Sequence, residues 1–380
     1  MTKPSLNAHL VGVEGGRWRL NTPALIVDLD AFERNLAAMA VHGRSHGIAL
    51  RPHAKSHKSV AVARRQIAAG AIGQCCAKLG EAEALTDGGI SSILITSPIV
   101  AREAIARLVQ LNARADDLML VVDSRPVLAD LARALAGSGR RLKLLVDIDV
   151  GLRRTGIVPG PEAYALAEEI AANPAFEFAG IQGYAGHLMH VADRAERRAR
   201  SLESMSLLRE VRDVLTARNL VPRIVTGGGT GTFDIDPAAD VLTELQAGSY
   251  AFMDREYNDV WHGPCDTPPF ETALFVQTTV ISANATGLAT TDAGYKAFAT
   301  DAGPPAIAAG APAGAAYFFF GDEHGGVTFA SDKDRLAPGQ VLTCIVPHCD
   351  PTVNLYEHYH VVRDGRLVEI WPIEARGASQ

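Results

Sequence analysis

Gly47-Ile-Ala-Leu-Arg-Pro-His-Ala-Lys-Ser-His-Lys58 passes from an apolar run into a basic cluster, and an alanine-rich helical segment follows it. Such a passage marks the point where a strand hands over to a helix. The same passage recurs along the chain. Short apolar runs that end in polar residues or glycine occupy 48–55, 72–78, 93–98, 118–124, 142–150, 178–187, 223–230 and 244–251, with alanine- and leucine-rich amphipathic segments between them. Eight such runs match the strand count of an α/β fold of the (β/α)8 TIM-type barrel class, with the intervening helices as outer packing. The competing doubly wound sheet calls for Gly-x-Gly-x-x-Gly after an early strand, and that spacing does not occur.

Outward from this rhythm, Pro23 to Leu29 reads as one further strand. Asp30 is placed to cap a helix, with Glu33 three residues on and Phe32, Leu36 and Met39 along one face. After Asp254 the alternation stops. Ala273-Leu-Phe-Val-Gln-Thr-Thr-Val-Ile281 and Gln340-Val-Leu-Thr-Cys-Ile-Val346 are strand-like, and the Gly-, Pro- and Ala-rich segment 303–315 reads as a loop. The expected division is a barrel over 26–255 and a mostly β domain formed by 256–380 together with 1–25.

The chain has 380 residues, 47% hydrophobic and 21% charged, the composition of a globular protein with a large core. Its net charge of -7 argues against a nucleic-acid or anionic-membrane partner. No apolar run reaches membrane-spanning length, and the first residues carry no apolar signal core. Together with five cysteines in no regular framework, this points to a reducing cytoplasm and free thiols, with the adjacent Cys75 and Cys76 buried.

In a barrel the C-terminal strand ends converge on one mouth, and the chemistry-bearing residues fall there. In extended geometry His53, Lys55 and His57 share a face, and crowded basic groups push a lysine toward the neutral amine of Schiff-base chemistry. A solvated basic loop is the alternative. Thr226-Gly-Gly-Gly-Thr-Gly-Thr232 follows Ile224-Val225, and its glycines let backbone N–H groups surround a phosphate, with Thr230 and Thr232 adding hydroxyls. Gly228 and Gly229 are the centre of that cradle, and Ser249 and Tyr250 lie beside it; a plain flexible turn is the alternative. Arg154 can meet a ring nitrogen or a carboxylate, or pair with Asp147 or Asp149. Of His187 and His190, one is a candidate acid/base. In Pro347-His-Cys-Asp-Pro351, His348 and Asp350 point the same way along an extended segment and suit a divalent ion, Mn²⁺, Mg²⁺ or Zn²⁺. His358 and His360 have the same spacing but read as structural.

Taken together, Thr22-Pro-Ala-Leu25, Arg51 to Lys58, Thr226-Gly-Gly-Gly-Thr230, Glu244-Leu-Gln-Ala-Gly-Ser-Tyr250 and His348-Cys-Asp-Pro-Thr352 resemble the D-threonine aldolase and D-serine dehydratase family, pyridoxal-phosphate enzymes of the alanine-racemase-type fold. The resemblance covers nearly the whole chain. It implies that Lys55 is the covalent attachment point of the cofactor and that Arg154 faces the pyridine nitrogen. It further implies that Tyr184, Thr226, Gly228, Gly229, Thr230, Ser249 and Tyr250 contact the cofactor, that His190 is the base, and that His348 and Asp350 hold a metal. Aldolase-like members carry His-x-Asp where dehydratase-like members carry His-x-Cys, and Asp350 places this chain with the aldolases. One departure is Tyr184-Ala-Gly-His-Leu-Met-His190, where many aldolases have a histidine directly after the tyrosine. The expected reaction is metal-dependent cleavage of a small-molecule D-3-hydroxy amino acid by a homodimer. A D-serine or D-3-hydroxyaspartate dehydratase, and a cofactor carrier of similar fold, are the alternatives.

Overall fold

The computed structural model describes residues 4–261, 268–331 and 335–380. Strand β1 (Ala24–Asp28) runs into helix α1 (Leu29–His46), and the alternation then begins: β2 (Ala49–Leu50), α2 (Val60–Ala68), β3 (Gln74–Cys76), α3 (Leu79–Asp87), β4 (Ser92–Ile95), α4 (Arg102–Arg114), β5 (Asp117–Val122) and α5 (Arg125–Leu135). It continues with β6 (Leu142–Asp147), α6 (Pro161–Ala172), β7 (Phe176–Gly183), α7 (Arg194–Ala217), β8 (Ile224–Gly227), β9 (Glu244–Leu245) and α8 (Arg255–Val260). Every one of the eight apolar runs overlaps a strand of this set, β2 to β9, with β4, β5 and β7 beginning one or two residues before their runs, and all neighbouring pairs are parallel. The ring closes between β2 and β3, where Ile72 N donates to Leu50 O and Cys75 N to Pro52 O, both at 2.8 Å.

The strand period of two sorts the apolar side chains into two sets. Cys75, Leu94, Met119, Val121, Leu145 and Ala179 form a cluster of their own inside the ring. Their neighbours Cys76, Ile95, Leu120 and Leu144 join the core beneath the helices. The four described cysteines are free and buried, Cys75 and Cys76 as expected and Cys344 and Cys349 with them. At the floor of the ring Arg51 turns away from the basic cluster. It forks onto Glu244 (2.8 and 2.9 Å) and reaches Ser92 Oγ (2.8 Å), tying the first strand to the eighth and the third.

Two local expectations are corrected. Asp28, not Asp30, caps α1: its Oδ1 accepts from Ala31 N at 3.0 Å, while Asp30 lies inside the first turn and pairs with Arg363 (2.6 Å). No α-helix separates β8 from β9, only a 3-10 turn at Asp236–Ala239, because the glycines of 227–231 and Pro237 break helix propagation.

The second sheet contains β10 (Leu274–Ala285), β11 (Leu288–Thr291), β12 (Ala306–Ala309), β13 (Ala316–Phe319), β14 (Gly325–Thr328), β15 (Val341–Ile345), β16 (His358–Arg363) and β17 (Arg366–Pro372), with helix α9 (Cys349–Val353) between β15 and β16. Strand β1 is its centre, antiparallel to β10 and parallel to β16. The chain therefore leaves the second sheet at residue 28, enters the barrel through α1, and returns after α8. Among the described residues, no helix is long and apolar enough to cross a membrane.

Candidate active site

A cavity of about 640 Å³ opens at the C-terminal mouth of the barrel. Its wall contains Lys55, Arg154, Tyr184, Gly228, Gly229, Thr230 and Ser249, residues drawn from five strand ends and more than 190 positions of sequence. Tertiary structure changes what the opening stretch means. Ala54–Ser56 is a 3-10 turn rather than extended chain, so His53, Lys55 and His57 do not share a face. His53 Nδ1 accepts from Lys55 N (3.4 Å) and its Nε2 meets Thr96 Oγ1 (3.0 Å). His57 is buried against Gln74, with Nε2 at 3.3 Å from Oε1. Burial lowers both histidines, His57 to about 4, so neither is a cation competing with the lysine at neutral pH.

Lys55 Nζ contacts Asp350 Oδ2, and its side chain is still 39% exposed toward the cavity. Burial works against the ammonium, but the Asp350 carboxylate outweighs it, so the Lys55 pKa lies above that of free lysine. The expected depression by neighbouring basic groups is thus replaced by an ion pair. Asp350 is held well below the usual carboxylate range, burial being overcome first by Lys55 and then by His348.

The phosphate-type cradle is built on Gly228, which has φ +69; a Cβ there would lie 2.5 Å from Asp236 Oδ2 and 2.6 Å from Leu245 Cδ1. Thr230 Oγ1 accepts from Tyr250 N (3.0 Å), which joins this loop to the eighth strand end. Thr232 does not face the cavity: its hydroxyl donates to Asp236 Oδ2 (2.7 Å). Thr226 lies below, where its Oγ1 meets Gln246 Nε2 (3.0 Å), and the Tyr250 hydroxyl is turned into the core, where it meets Gln66 Nε2 (3.4 Å). Arg154 makes no ion pair with Asp147 or Asp149; its guanidinium carbon is 5.5 Å from the centre of the Tyr184 ring. Asp149 accepts from Gly151 N and Arg153 N, and Asp147 from Thr155 and Gln182 (2.9 Å each), which shapes the loop that presents Arg154. Burial raises Asp147 to about 6.

His348 and Asp350 do not lie on an extended segment either. His348 is the N-cap of α9 and Asp350 sits in its first turn. His348 Nδ1 bonds Asp301 Oδ2 (2.7 Å), an arrangement that orients an imidazole and leaves its other nitrogen for a ligand. His190 stands near, with Nε2 buried, without a hydrogen-bond partner among the described residues, and 3.8 Å from Glu256 Oε2. The same Glu256 oxygen is 4.0 Å from His348 Nδ1. Burial lowers the His190 pKa, so its imidazole is neutral at pH 7. Among the described residues, no group of three or more His, Cys, Asp or Glu side chains is arranged to hold a metal. His187 Nδ1 is buried without a hydrogen-bond partner among the described residues, and His360 is structural: Nε2 meets Asn7 Nδ2 (3.0 Å) and Nδ1 meets Leu25 O (3.1 Å).

Glu256 and Asp301, and the cavity-wall residues Lys78, Asp123, Gln182, Gln246 and Tyr257, were not singled out from sequence. For the wall residues one signal was available: Lys78, Asp123 and Gln182 stand at or near the C-terminal ends of barrel strands, where functional side chains gather.

The chain matches the protein-family model described as alanine racemase, N-terminal domain, over residues 27–256, and the putative serine dehydratase domain over residues 273–362. It is 40% identical over 363 residues to a D-threonine aldolase of Arthrobacter sp, covering 95% of this chain and 94% of that protein. A 3-hydroxy-D-aspartate aldolase of Paracoccus denitrificans (strain Pd 1222) is 38% identical over 368 residues, 94% of this chain and 92% of that protein. The crystal structure of D-threonine aldolase from Filomicrobium marinum superposes with a TM-score of 0.92 at 39% identity, covering 96% of this chain and 98% of that one.

Proposed function

The chain belongs to the D-threonine aldolase and D-serine dehydratase family of alanine-racemase-type proteins, and from that premise we propose that it is a carbon–carbon lyase that cleaves D-3-hydroxy amino acids to glycine and an aldehyde. The observation that carries the proposal is the contact between Lys55 and Asp350, which joins the cofactor lysine to the second residue of the metal motif across 295 positions of sequence. The residues at the mouth fit pyridoxal phosphate. Gly228 to Thr230 and Ser249 offer a glycine loop and hydroxyls to its phosphate, Lys55 an amine that reaches the cavity, and Arg154 a guanidinium with no carboxylate ion pair among the described residues. When bound, the cofactor supplies the electron sink for the bond broken at Cα.

A divalent ion, Mn²⁺, Mg²⁺ or Zn²⁺, fits the donor chemistry of His348 and Asp350, whose neighbour Asp301 orients the imidazole. Those two residues would hold it, and it would lower the pKa of a bound hydroxyl. His190 is the base in this scheme. Its imidazole is neutral, and the unpaired Nε2 can take the proton from the substrate 3-hydroxyl, with Glu256 close enough to stabilise the resulting charge. Asp350 keeps Lys55 protonated and fixed at the mouth until the cofactor is attached. The homodimer and the cytoplasmic setting expected from the sequence belong to the same proposal.

The match to the putative serine dehydratase domain favours one second reading, loss of the 3-hydroxyl with release of ammonia. Product analysis separates them: with D-threonine, cleavage gives glycine and acetaldehyde, dehydration gives 2-oxobutanoate and ammonia. We expect glycine, no cofactor absorbance retained by Lys55→Ala after desalting, and an Asp350→Ala activity that excess Mn²⁺ does not restore. Full turnover by Lys55→Ala would sink the assignment, and absence of any metal-dependent turnover would leave a cofactor carrier.

A further inference from the structure

Lysine and arginine enter the cavity wall at three positions: Lys55, Arg154 and Lys78. Lys55 is paired with Asp350, and Arg154 lies over Tyr184. The ammonium of Lys78 has no carboxylate partner among the described residues. The acid closest in sequence, Glu81, is already engaged: Oε1 accepts from Lys58 Nζ (2.6 Å), and Oε2 accepts from the backbone N–H groups of Ala77 (2.8 Å) and Lys78 (3.2 Å). Asp123, the acid of the cavity wall, accepts from Gly156 N (3.2 Å).

Lys78 also stands where helix chemistry disfavours it. It is the N-cap of α3, a position at which Ser, Thr, Asp or Asn accepts a first-turn N–H; the lysine side chain makes no such bond. It adds a positive charge to the positive end of the helix dipole. Glu81 caps the helix in its place. A residue that costs its helix stability, at a position where a serine would contribute it, is expected where a ligand has set the choice.

The position in the ring narrows the ligand. Lys78 follows β3, the second barrel strand, beside the strand that delivers Lys55, whereas the glycine cradle follows the seventh strand and Ser249 the eighth. A phosphate at the cradle has donors of its own. Ala77 beside it in sequence, and Ser97, Pro98 and Val100 after the neighbouring strand β4, are small or uncharged residues of the same wall. We infer that Lys78 binds a carboxylate of the substrate. The inference rests on the proposed aldolase reading and extends it toward substrate class. Two carboxylates satisfy this chemistry: the α-carboxylate common to all amino acids, and the side-chain carboxylate of a 3-hydroxyaspartate-type substrate.

The test uses the cofactor-loaded protein and acids that carry no amine, so it needs no turnover. Titration calorimetry measures binding of propionate and succinate to the wild type, Lys78→Met, Lys78→Arg and Lys78→Ser. Lys78→Met should weaken binding about tenfold, the scale of one charge-assisted contact, and Lys78→Arg should restore most of it. Loss of both acids equally assigns the α-carboxylate; loss of succinate alone assigns the side-chain carboxylate, and KM for a 3-hydroxy-D-aspartate substrate should then rise while KM for D-threonine holds. Lys78→Ser should lose affinity yet raise Tm, because serine caps α3, a combination that a purely structural lysine would not give. Undetectable binding to the wild type, unchanged binding to Lys78→Met, or no rescue by arginine would overturn the inference. If the acids bind through Lys78 but no 3-hydroxy amino acid is cleaved, the aldolase reading falls and the carboxylate site stands.

Discussion

Asp236 shows how far a single residue can depart from its usual behaviour beneath a functional loop. It is 1% exposed, and its two oxygens accept from Ser201 Oγ (2.5 Å) and Thr232 Oγ1 (2.7 Å) directly under Gly228. Burial raises its pKa to about 7, whereas an exposed aspartate titrates near ~4. Between those values the folded chain holds a proton that the unfolded chain has lost, so stability falls as pH rises through this window. The full penalty, roughly 4 kcal/mol, is present above pH 7. Asp147 and Asp254, raised by burial to about 6, act in the same direction over a lower range. Asp236→Asn should therefore flatten the stability profile between about pH 4 and 7 in denaturant titrations; an unchanged slope would mean that the buried carboxyl is not protonated in the fold. At the same scale, Lys55 was legible as a special lysine from its neighbours, but its charge state was not. The sequence put basic groups beside it, and the fold put Asp350 there instead.

Caps and tight turns decide what each element delivers to the mouth. The cradle depends on Gly228 having φ +69, where an L side chain is strained and would also collide with Asp236 and Leu245. Gly228→Ala should cost about 2 kcal/mol or more and weaken cofactor binding, read from Tm and from cofactor titration; wild-type affinity in this variant would rule the loop out as the cradle. At the entrance to the barrel, Asp28→Ala removes the α1 cap and should lower stability by about 1 kcal/mol, while Asp30→Ala, which loses only an exposed pair with Arg363, should cost much less. The sequence pattern, with Glu33 three residues on, pointed to Asp30, two positions after the aspartate that caps the helix. Which of them serves was decided by where β1 ends, and β1 ends where its pairing with β10 and β16 ends.

At the scale of the molecule, one buried ion pair bears on closure of the barrel. Arg51 and Glu244 join the first strand to the eighth with side chains 4% and 5% exposed. Arg51→Met leaves Glu244 buried and unpaired and should destabilise by about 3–5 kcal/mol, whereas Arg51→Met with Glu244→Leu should recover most of that loss, measured by a double-mutant cycle in denaturant. Additive losses would show that the pair is not coupled. The sequence by itself determined the eight-strand barrel, the mostly β second sheet and the glycine loop, because period, strand length and turn residues are local properties of the chain. Tertiary structure alone decided the ion pair of Lys55 with Asp350, the bond of His348 to Asp301, the approach of Glu256 to His190, and the direction in which each basic residue of 51–58 points. These contacts join segments tens to hundreds of residues apart, and they exist only once the ring has closed and the second sheet has packed beside its mouth.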